Sequence, residues 1–184
     1  YRFVEYDKEK DNAVYYEYRV SDWSMVKREV LPDKSNIALD EAFDPATGNV
    51  YGCFIDSKAQ YFRFGIVDHD THCVTEICRL DAPYFGMFVT PDGIVYGISS
   101  DGNLYKIDKS DGSRTLVGPT GVAPKYNQSA VCDLQTGKAY WLGCNTQGST
   151  ALYEVNLTTG NASRVRTFSK KEGFYGAIIA QNPY

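Results

Sequence analysis

Three segments of this 184-residue chain read alike at an almost constant spacing. They are Phe43-Asp44-Pro45-Ala46-Thr47-Gly48-Asn49-Val50-Tyr51-Gly52, Val89-Thr90-Pro91-Asp92-Gly93-Ile94-Val95-Tyr96-Gly97 and Cys132-Asp133-Leu134-Gln135-Thr136-Gly137-Lys138-Ala139-Tyr140-Trp141. Tyr51, Tyr96 and Tyr140 recur 45 and 44 residues apart. Each segment predicts a strand, a polar turn with Gly, and a second strand that opens on an aliphatic–Tyr pair. A second series follows each: Phe62 to Asp68, Asn103 to Asp108 and Ala151 to Asn156. Each of these leads through a further turn into Val74 to Leu80, Arg114 to Gly118 or Ser163 to Phe168. A period of this length marks one supersecondary unit that cannot bury its apolar face alone.

The unit is four short antiparallel strands in about 45 residues. Leu104-Tyr105-Lys106-Ile107 alternates with the period of two that a strand requires. No long stretch carries helical periodicity. The 15 Tyr and 16 Gly suit many short strands and tight turns. One twisted four-stranded sheet cannot cover both its faces, but sheets stacked round an axis can. The expected fold is therefore all-β, a β-propeller of four-stranded antiparallel blades. Residues 1–184 read as a single domain. The blades fall at about 1–35 plus 173–181, then 36–82, 83–120 and 125–169. The first lacks an innermost strand, and Phe174 to Ala180 resembles one with nothing after it, paralleling Tyr84-Phe85-Gly86-Met87-Phe88. The last strand is thus expected to complete the first blade, which would remove two open edges. Two sizes remain open: a closed ring of about four blades, or the C-terminal part of a larger propeller. The chain opens on Tyr1 rather than Met, which favours the larger one.

Asn103-Leu104-Tyr105-Lys106-Ile107-Asp108, with Asp111-Gly112 and Thr115-Leu116-Val117-Gly118, resembles the "LYxID…G…TLVG" repeat of secreted and surface propellers of bacteria, particularly lipoproteins and adhesin-like proteins of gut Bacteroidetes. Phe43-Asp44-Pro45…Gly48…Val50-Tyr51-Gly52 matches the other half of that repeat. The likeness covers nearly the whole chain. It implies an exported protein, at the outer surface or in the periplasm, with a non-catalytic and binding role. No Trp-Asp signature, kelch double glycine or sialidase-type Asp box is present.

Net charge of -4 argues against a nucleic-acid partner. No apolar run approaches the roughly 20 residues of a membrane helix. The odd set Cys53, Cys73, Cys78, Cys132 and Cys144 is no disulfide framework and holds no CxxC, so these read as small buried hydrophobes. Both histidines lie in Asp68-His69-Asp70-Thr71-His72-Cys73, which removes any His-dependent triad elsewhere. That run is an outer turn whose side chains should splay, so no metal and no cofactor is expected. Asp40-Glu41 sits on an innermost strand, where adjacent side chains point to opposite faces and cannot form one acid–base pair. The aromatics entering innermost strands, Tyr84, Phe85, Tyr126, Phe174 and Tyr175, recur once per blade and could ring one mouth of the channel. With Asp40 and Asn127 they form the candidate ligand-binding set, for a glycan or protein partner. A carbohydrate-active lyase or hydrolase using channel residues is the alternative, and a structural module of a larger adhesin is another.

Overall fold

A computed structural model describes residues 2–7 (as backbone), 10, 12–19, 21–31, 37–56, 59–125 and 128–168. Its strands form four antiparallel sheets in chain order. The first holds β1 (Arg2–Asp7), β2 (Asn12–Tyr18) and β3 (Met25–Leu31). The second holds β4 (Ile37–Phe43), β5 (Val50–Asp56), β6 (Tyr61–Asp68) and β7 (Cys73–Leu80). The third holds β8 (Tyr84–Val89), β9 (Val95–Ser99), β10 (Asn103–Ile107) and β11 (Arg114–Pro119). The fourth holds β12 (Ser129–Cys132), β13 (Ala139–Cys144), β14 (Thr150–Val155) and β15 (Ala162–Thr167). Three of the expected four-stranded sheets are present among the described residues, and the first sheet has three described strands. The segment expected to complete it, Phe174 to Ala180, lies outside the described residues.

The sheets meet through their innermost strands: β8 packs against both β4 and β12, and β4 also reaches β12. Alternation along β8 divides its side chains between two cores. Tyr84, Met87 and Val89 join Tyr51, Cys53 and Phe64 of the second sheet. Phe88 instead joins Ala130, Trp141 and Tyr153 of the fourth. This is period-two geometry used on both faces, the arrangement a sheet needs when it has a neighbour on each side. Each large side chain so buried contributes about 1.5–3 kcal/mol.

The hairpin turns explain the repeated Asx and Gly. In 44–49, 108–113, 133–138 and 156–161 the first residue's N–H donates across the turn to the sixth, and its side-chain oxygen accepts from the residue two ahead. The fifth residue closes the turn in the left-handed region, and there it is Gly. In the outer turns this residue also faces the preceding sheet. Gly112 lies against Cys78, and Gly160 against the backbone of Gly118. The turn 68–73 puts His72 at that place, at φ 58. Its ring packs on Tyr15 of the first sheet, centroids 4.2 Å apart, and its Nε2 lies 3.3 Å from Glu29. Where two joints use a missing side chain, this one uses an imidazole as a spacer.

Candidate functional site

A single side chain joins the innermost strands of three sheets. Register places Asp40, Gly86 and Ser129 at equivalent positions of β4, β8 and β12. A bulge at Leu39, repeated at Phe85 in β8, precedes this position. The Met87 and Ala130 amides both donate to Asp40 Oδ2, at 2.6 and 2.9 Å, and the Ser129 hydroxyl donates to Oδ1 at 3.2 Å. One carboxyl therefore binds three sheets. The residue keeps some solvent exposure, yet its carboxyl is desolvated. Burial pushes Asp40 up to about 8, against the pull of these donors. Two backbone amides and one hydroxyl from neighbouring sheets thus engage the Asp40 carboxyl, which acts as a joint between them. Glu41 turns away from it and meets His69 at 3.1 Å, as strand alternation requires.

Of the other sequence candidates, Tyr84 and Phe85 lie among the described residues. Tyr84 is 0 % exposed: its ring lies over Gly97 in its own sheet, against Ile107. Gly97 has no Cβ to lift it, so the stacking face anticipated at the mouth is spent on the core. Burial also pushes its phenol up to about 12. Phe85, the bulge residue, is half-buried. Tyr126, Asn127, Phe174 and Tyr175 lie outside the described residues. The outer turn 68–73 splays as expected: Asp68 caps the amides of Asp70 and Thr71, while His69 and His72 go to different carboxylates.

One departure from the repeat lies between the third and fourth sheets. The second sheet passes to the third in three residues, whereas the third passes to the fourth in nine, 120–128. The loop joining the middle strands is also longest in the fourth sheet, at 145–149. These two loops are tied together. Pro124 bridges Asn145, Lys125 N–H donates to Cys144 O at 2.8 Å, and Thr146 N–H to Ala123 O at 3.2 Å. Buried Gln128 clamps their bases, its amide donating to Lys125 O at 2.9 Å and Cys144 O at 2.7 Å. Thr120 anchors the other end through Gly102 O at 2.7 Å.

Between them opens a cleft of about 470 Å³, lined in part by Val122, Ala123, Asn145, Gln147, Tyr153 and Arg164. Its volume falls within the range of small-ligand sites, about 300–1,000 Å³. Tyr153 forms the floor, with Arg164 directly across on the paired strand. Burial pushes the Tyr153 phenol up, and the Arg164 guanidinium draws it partly back. Sequence reasoning placed candidates in this connection, Tyr126 and Asn127, but missed Val122, Asn145, Gln147 and Arg164. The available signal was the surplus length between the third and fourth repeats. Gln128→Ala should free both loop bases at a cost of about 1–3 kcal/mol. Hydrogen exchange at Lys125 and Thr146 should then accelerate while the amides of β9 keep their protection; uniform acceleration would assign Gln128 to the core instead.

No protein-family model and no curated protein matches the chain. Solved structures do. The chain is similar to a structure of a nidogen/laminin complex, at 16% identity and a TM-score of 0.58 over 85% of this chain and 58% of that one. It is also similar to regucalcin, a calcium-binding protein from Agrobacterium tumefaciens, at 14% identity and a TM-score of 0.53 over 88% of this chain and 72% of that one. The chain thus spans less than two thirds of the first of these. Four-stranded antiparallel sheets and these neighbours together define a β-propeller. No helix of the described residues is long and apolar enough to cross a membrane.

Proposed function

We propose that this propeller is a non-catalytic, exported binding module that seats a glycan, or a segment of a protein partner, in the cleft that its fourth sheet forms with the loop entering it. The observation that carries the reading is the pair of lengthened, mutually bonded loops around that cleft. Repeat proteins keep their strands constant and place insertions on one binding face. The engagement of Asp40 by backbone donors supports binding over acid–base chemistry at the axis. A nidogen/laminin complex among the similar folds is compatible with a protein partner. Export to the surface or periplasm rests on the repeat resemblance.

Val122→Trp should fill the cleft. A ligand identified on a glycan array or by titration with partner ectodomains should lose at least roughly tenfold in affinity, a change of about 1.4 kcal/mol. Thermal stability should be retained. Phe85→Ala, at the entry to the innermost strand, should leave affinity unchanged. The opposite pattern would move the site to the mouth of the ring.

A further inference from the structure

Arg164 stands apart from the other cations. Among the described residues, Arg19, Lys27, Arg63, Arg79, Lys109 and Lys138 pair with carboxylates. Arg28, Lys106, Arg114 and Arg166 lie over aromatic rings. Lys10 and Lys125 are also engaged. Among the described residues Arg164 meets neither a carboxylate nor an aromatic face in this way; its charge acts on its cross-strand neighbour Tyr153. It lines the cleft, and among the described residues no Asp or Glu lines it with Arg164.

Resting on the cleft as the binding site, we propose that its ligand is a carboxylate-bearing sugar, a uronic or sialic acid residue, with the acid group on Arg164. A guanidinium meets a carboxylate through two parallel N–H donors, a fit that a point charge lacks. The remaining described wall is uncharged, with Gly121, Val122, Ala123 and Ala162 on its apolar side. Asn145, Thr146 and Gln147 bring amides and a hydroxyl, and Tyr153 brings a phenol. That is the chemistry for ring hydroxyls rather than for a second charge. A net charge of -4 on the whole chain disfavours dense polyanions at long range, so one local cation selects for a single acid group.

The test is calorimetric titration of the full chain with three probes: an oligosaccharide carrying one glucuronate or sialate, its neutral counterpart, and an acidic peptide. The acidic sugar should bind. Arg164→Gln should weaken it roughly 10- to 100-fold, the range for losing a charge-assisted hydrogen bond. Arg164→Lys should recover only part of that loss. Arg166→Gln, on the same strand, should change nothing, and all variants should melt as the parent does. Equal binding of the neutral sugar, blocked by Val122→Trp but indifferent to Arg164→Gln, would overturn the acid assignment and leave the cleft as the site. Binding of the peptide alone would also overturn it. Sugar binding indifferent to Val122→Trp would overturn the cleft reading itself.

Discussion

Asp40→Ala should destabilise the protein by about 2–6 kcal/mol, because it leaves the buried amides of Met87 and Ala130 without an acceptor, at about 1–3 kcal/mol each. For a chain of this length the melting temperature should drop by roughly 2–4 °C for each kcal/mol. Asp40→Asn keeps an oxygen for both amides and turns its NH2 toward the Ser129 hydroxyl, so it should retain most of the stability. The two variants also separate by pH. The carboxyl titrates near 3.8 in the unfolded chain and near 8 in the fold. Between those values the folded protein holds a proton that the unfolded chain has lost. Stability from this group therefore falls as pH rises through that window, by at most about 1.4 kcal/mol per pH unit, and levels off above the folded value. Urea midpoints should show the asparagine variant gaining on the parent from about pH 5 to about pH 9. Parallel curves would mean that the carboxyl is ionised throughout, and that its donors outweigh its burial.

The second large effect lies at the joint between the third and fourth sheets. Gly160 has φ +80, and a methyl there would run into the carbonyl of Gly118. Gly160→Ala should cost about 2–5 kcal/mol, combining left-handed strain with overpacking against backbone that cannot swing aside. Gly137 supplies the control. It closes an equivalent turn at φ +71, with nothing within 4 Å of the added carbon. Gly137→Ala should show the conformational part alone, about 1–2 kcal/mol. Equal losses in chemical denaturation would remove the close approach as a cause.

The architecture was legible because its signals are local. Turn chemistry at Asp44, Asp108, Asp133 and Asn156 and the aliphatic–Tyr pairs repeat in the chain itself, and each of these four side chains caps its own hairpin, Asp44 pairing in addition with Lys109. Strand alternation also separated Asp40 from Glu41 correctly. The side-chain partners were not legible, since they come from other repeats. Asp40 is explained only by amides 47 and 90 residues away. Tyr84 reads as a mouth aromatic until Gly97, two strand positions across the hairpin, is seen to admit its ring. Arg164 is an ordinary outer-strand cation in the sequence. Its distinction is the absence of a carboxylate around it among the described residues, which only a folded surface reveals.

Stacked repeats that touch only their immediate neighbours can unravel from an end, one unit at a time. The carboxyl of Asp40 changes that connectivity. By holding the backbone of β8 and β12 at once, it makes the second and fourth sheets direct partners across the third. The second sheet cannot detach without releasing the fourth. The described sheets from the second to the fourth should therefore melt as one cooperative unit, with Asp40 reinforcing the direct contact between β4 and β12.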